Sequence, residues 1–129
     1  MTERLRVSSG GPYEARFGYS RAVAVGDSCW VAGTTDAGPD GTSLHPGDAA
    51  AQARASFAIV IRALEEAGFA VGNVVRTRMY VASASDAPSV ATVHGEIFGD
   101  VRPASALVVV AALIDPSLLV EVEADARRG

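Results

Sequence analysis

The chain has 129 residues, 49% hydrophobic and 20% charged, with a formal net charge of −4 at pH 7. That is enough apolar material for one core and too much for a disordered chain. The acidic balance and the lack of a basic stripe argue against a nucleic-acid partner, no apolar stretch approaches the roughly 20 residues of a membrane helix, and because all eleven basic residues are arginine there is no Schiff-base, pyridoxal-phosphate or P-loop lysine.

The opening segment MTERLRVSS lacks the apolar centre of a signal peptide. The sequence therefore predicts one cytoplasmic domain over residues 1–129, and the arginine-only usage hints at a GC-rich bacterial genome. Cys29 is the sole cysteine, so no internal disulfide is expected, and in SCWVAG it reads as a core thiol rather than a nucleophile. Two histidines and one cysteine give no metal-ligand spacing, so no metal site is predicted.

In chain order, a short strand is expected near Arg4 to Val7. RAVAVGDSCWVAGTT then reads as two strands around a Gly26-Asp27 turn, with Val23 and Val25 alternating and Cys29 to Ala32 following. Residues 36–48 form a loop dense in Gly, Pro and Asp. Asp48 is placed to cap a helix over Ala49 to Ala67, with Phe57, Val60, Ile61, Leu64 and Ala67 as its buried stripe and Gly68 as its stop. Val74 to Ser83 alternates, sending Val75, Thr77, Met79 and Val81 inward and Arg76, Arg78 and Tyr80 outward. A second helix follows, with Asp86 as cap, Pro88 in its first turn, Val90, Val93 and Ile97 buried, and Gly99 as stop. Two last strands are expected over Ser105 to Leu113 and Leu118 to Ala124. This order predicts an α+β layer, a mixed six-stranded sheet with two helices packed on one face. The other face has apolar residues and no helices left to cover it, so an oligomer is expected.

Several stretches fall in one order: GYSRAVAVGDSCWVAGTT, GDAAAQARASFAIVIRALEEAG, NVVRTRMYV, and RPASALVVVAAL followed by LLVEVEADA. Together they resemble the RidA family, also called YjgF/YER057c/UK114, over nearly the whole chain. The resemblance implies a chorismate-mutase-like fold and a homotrimer with ligand clefts between neighbouring subunits. It also implies cofactor-free hydrolysis of reactive imines and enamines, such as 2-aminoacrylate, to a keto acid and ammonia. Residue by residue, Tyr19 matches a cleft tyrosine, and Gly33 matches a glycine whose backbone meets the ligand, with Thr34 beside it. Leu107 falls where the family offers a backbone N–H to a ligand carboxylate, and Glu121 matches a glutamate that positions the attacking water. The family pattern PARS carries an arginine that grips the carboxylate. Here Ser105 stands in its place, Arg102 does not obviously replace it, and Ala91 stands where an asparagine is usual.

Each candidate also has a plainer reading. Glu121 and Glu123 alternate with valines as in any half-exposed strand, Tyr19 is also suited to an interface, and His94 borders a buried stripe as a structural histidine would. Arg76 and Arg78 read as a solvated or interfacial face, and either is in a position to pair with Glu121. Ser105 has no histidine near it in sequence and is not expected to be a nucleophile. The sequence thus predicts a small-molecule cleft protein acting on an imine, enamine or enol-type metabolite, other than a standard 2-aminoacrylate deaminase. The alternatives are a non-catalytic binding trimer and a protein-interaction role.

Overall fold

The computed structural model of the chain describes residues 3–129. Six strands, β1 (Arg4–Val7), β2 (Ala22–Val25), β3 (Ser28–Thr34), β4 (Val74–Val81), β5 (Ala104–Val109) and β6 (Val120–Arg127), form one sheet in the order β1-β2-β3-β6-β4-β5. Only the β4–β5 pair is parallel, so the sheet is mixed. Three α-helices are present: α1 (Glu14–Phe17), α2 (Ala49–Glu66) and α3 (Ala87–Phe98). The architecture is the α+β layer expected, and the single-turn α1 is an addition that carries too few residues to show helical periodicity.

Helix α2 starts where Asp48 accepts a hydrogen bond from the Ala51 amide at 3.0 Å and ends before Gly68, whose φ of +87° suits glycine. Its buried face is Phe57, Val60, Ala63 and Leu64, while Ile61 is only partly buried. Gln52 is wholly buried and its amide is satisfied: it donates to the carbonyls of His45 and Ser117 and accepts from the Leu119 amide. One side chain thus ties α2 to the loops before it and before β6, since an unpaired buried amide would be costly.

Helices α2 and α3 cover one sheet face, and the core lies between them and residues such as Val31, Met79, Val81, Val120 and Val122. The β4 alternation differs from expectation at one point. Val74 pairs with Ala126 and Arg76 with Asp125, so Val75 is the extra residue of a bulge and is half exposed while Val74 is buried. On α3, Asp86 precedes the first turn without a side-chain cap bond. Gly99 keeps right-handed φ, and Arg102 adopts the positive φ of 54° beyond it.

The apolar run after Pro103 is shorter as a strand than expected and largely exposed. Strand β5 stops at Val109 and bonds only to β4, and Val108 and Val109 are 45% and 51% exposed. An edge strand with an uncovered apolar surface invites pairing with another chain. The sheet face away from the helices is mixed rather than apolar. Arg78 lies 3.5 Å from Glu123 and 3.6 Å from Asp125 there, beside Trp30, which is 48% exposed.

Candidate functional site

A cleft of about 340 Å³ opens at the end of β3, where the sheet meets α1 and α2. Tyr19, Gly33, Thr34 and Glu121 line it, so four of the residues singled out from the sequence meet here. Two local features bring Glu121 to Gly33. Between Val31 and Thr34 strand β3 holds one residue more than β6, a bulge that re-aims the chain. At Gly33, moreover, a Cβ would overlap a Glu121 carboxylate oxygen, so any larger residue there would make that carboxylate move.

Burial raises the Glu121 pKa from its ordinary value, and the neighbouring Glu123 charge adds to the rise; Arg21 opposes both. A carboxyl so placed is a better proton acceptor near neutrality than a free one. The pairing considered for it from the sequence does not occur: Arg78 goes to Glu123 and Asp125. Tyr80 donates to Glu123 at 2.6 Å. Tyr19 is 38% exposed at the cleft mouth.

Arg21 and Glu14 are the site residues the sequence did not reveal. Arg21 is 6% exposed and lines the cleft. Its Nε donates to Glu14 at 3.2 Å, and its Nη1 donates to the Gly33 carbonyl at 2.6 Å and to the Thr34 hydroxyl at 2.8 Å. Its guanidinium lies 5.5 Å from the Tyr19 ring centre. Burial pushes the Glu14 pKa up, but hydrogen bonds from Ser9, Ser8 and Arg21 outweigh it and hold the group below the ordinary carboxylate value. No pattern of spacing links Glu14 in a one-turn helix to Arg21 at the start of β2. The only hint was an arginine at the head of an otherwise apolar run.

The other three candidates lie elsewhere in this chain. Ser105 and Leu107 are on β5, where Ser105 pairs with Thr77 and Leu107 with Met79 on the face that meets the helices. The Thr77 hydroxyl is wholly buried, donates to Ser105 Oγ at 2.8 Å and lies 2.7 Å from His94 Nε2. With that proton directed at Ser105, the ring donates from Nε2 to Thr77. His94 packs against Phe57 and Phe98, with centroids 5.8 and 4.7 Å away, and burial lowers its pKa. It is a hydrogen-bonded histidine of the core margin. Arg102 is exposed on the turn before β5 and does not line the cleft. Among the described residues there is no His, Cys, Asp or Glu cluster suited to a metal, and no helix is long and apolar enough to cross a membrane.

A family model described as endoribonuclease L-PSP matches residues 12–128. The chain is 45% identical to Rv2704 of Mycobacterium tuberculosis, a solved structure of the YjgF/YER057c/UK114 family, with a TM-score of 0.88 over 98% of this chain and 100% of that one. It is 42% identical to the uncharacterized protein SCO2049 of Streptomyces coelicolor, over 96% of this chain and 92% of that protein. It is 33% identical to the 2-iminobutanoate/2-iminopropanoate deaminase of Rattus norvegicus, over 86% of this chain and 80% of that protein. The chain belongs to the RidA (YjgF/YER057c/UK114) family.

Proposed function

For this member of the family, we propose that the cleft around Glu121 binds a small imine, enamine or enol-type molecule and promotes hydrolysis or proton transfer without a cofactor. The observation that carries the reading is the raised pKa of Glu121, a carboxyl in a cleft between Gly33 and Tyr19. In hydrolysis Glu121 takes a proton from water as the oxygen bonds to the imine carbon. Glu121 returns that proton to the nitrogen, a second comes from the added hydroxyl as the C–N bond breaks, and a carbonyl compound and ammonia leave. The deaminase name of the rat relative supports this class of reaction. A formal charge of −4 offers little to an RNA backbone, which weighs against transferring the endoribonuclease description of the family model to this chain.

The working unit in this proposal is a homotrimer, in which β5 of a neighbour, with Ser105 and Leu107, completes each cleft. The exposed apolar edge at Val108 and Val109 supports such an assembly. A binding role without turnover is the second reading. It is favoured by Ser105, whose hydroxyl is held by Thr77 and which brings no cation where the family pattern has arginine.

Turnover decides between them. Imines generated in place from amino acids by an oxidase are offered to the protein and ammonia release is followed. The three-carbon iminopropionate is expected to react slowly for want of the arginine. With an imine that is turned over, Glu121→Gln lowers the rate by about 10²–10⁴. Full activity in that variant would refute the role of Glu121, and no release from any imine would leave the binding role.

A further inference from the structure

Donor accounting at Arg21 points beyond the residues already assigned. A guanidinium has five N–H groups. Three of those on Arg21 are committed, one to Glu14, one to Gly33 and one to Thr34. The two on Nη2 meet only the Tyr19 hydroxyl, at 3.5 Å, beyond the range of a good hydrogen bond. Even paired with Glu14, Arg21 keeps two poorly used donors on Nη2 that an oxygen acceptor in the cleft would satisfy. Nη2 lies beneath Gly11, 3.7 Å from where a Cβ on that residue would be.

Gly11 also borders a second cleft. It has a volume of about 320 Å³ and runs between residues 7–12 and α2. Ser9, Gly11, Pro12, Ala37 and Ile59 line both clefts, so the two share a wall. The second is lined by apolar Val7, Pro39, Leu44 and Ala63, with Ser8, Arg62 and Glu66 also on its wall. Each cleft alone reaches the lower end of the range of about 300–1,000 Å³ for small-molecule sites. A three-carbon acid would leave much of the first cleft empty and would not reach the second.

We propose that the ligand is an elongated organic anion, its carboxylate or enolate oxygen held by Arg21 Nη2 and the Tyr19 hydroxyl and its apolar remainder passing Gly11 into the second cleft. This rests on the cleft assignment above and names its substrate class. Charge-assisted hydrogen bonds hold the anionic head, and removal of apolar area from water holds the tail.

Binding of unreactive probes tests this apart from catalysis, since a protein that hydrolyses nothing can pass and an active one can fail. Acetate, hexanoate and hexanamide are titrated into the natural protein by calorimetry. The Arg21 guanidinium nitrogen resonances, assigned by comparison with Arg21→Lys, are followed by NMR. Hexanoate should bind at least about tenfold more tightly than acetate, because its added methylenes are buried. It should also bind at least about tenfold more tightly than hexanamide, which lacks the charge. The Arg21 signals should shift with hexanoate, and Leu44→Ala, at a side chain already 66% exposed, should shrink the advantage of hexanoate over acetate. Equal affinity for acetate and hexanoate, equal affinity for acid and amide, or Arg21 resonances that do not move would each overturn the proposal.

Discussion

Two carboxyl groups in this chain are shifted in opposite directions, and stability should report both. The Glu14 pKa is lowered in the fold, so the stability it contributes is present above its unfolded value and lost as pH falls through its folded one. Glu14→Ala leaves Arg21 buried without its anion, and breaking such a pair costs about 3–5 kcal/mol. Urea unfolding should show that loss at neutral pH and a shrinking deficit in acid, where the natural Glu14 is itself protonated. The Glu121 pKa is raised, so its contribution is present below the unfolded value and lost as pH rises through the folded one. Once ionised, the carboxylate therefore works against the fold. Glu121→Gln should melt no lower than the natural protein at pH 7, and a clear drop in Tm would make Glu121 a structural residue. At Gly33 the added methyl of Gly33→Ala displaces the carboxylate, so hexanoate binding and turnover should change while the distant core does not. Tyr19, Gly33 and Glu121 were legible because each stands in a stretch of family pattern. Arg21 was not, because what distinguishes it is the set of groups around its guanidinium, and those come together only in the fold.

Among the elements, periodicity located helices and strands well and burial less well. The stripe of α2 emerged from its spacing because packing on a sheet demands that spacing. The bulge at Val75 did not, since one inserted residue leaves the composition of β4 unchanged while shifting the face of what precedes it. Strand β5 was legible as a strand from its apolar run, yet apolarity does not say whether the cover comes from the same chain. What fixes β5 locally is the Ser105–Thr77–His94 chain, which joins β5, β4 and α3. Thr77→Val strips both buried contacts and should cost about 1–3 kcal/mol in denaturant unfolding. Ser105→Ala removes only the exposed end and should cost less than about 1.5 kcal/mol. An equal loss in the two would show that His94 does not depend on Thr77.

For the molecule as a whole, the uncovered sheet face and the β5 edge call for a partner, and the proposed partner is the same chain. Light scattering should give about three times 13.2 kDa at micromolar concentration. Val108→Asp, which sets a charge on the exposed edge without entering the core, should dissociate that particle, and a monomer in the natural protein would remove the assembly from the proposal. The catalytic reading of the cleft turns on Glu121 as the proton acceptor. That is read most directly from kcat/KM against pH for an imine that the protein hydrolyses. The profile should rise with pH through a midpoint above the ordinary carboxylate value, and this limb should vanish in Glu121→Gln. An identical rising limb in the variant would assign the proton transfer to another group and contradict the mechanism.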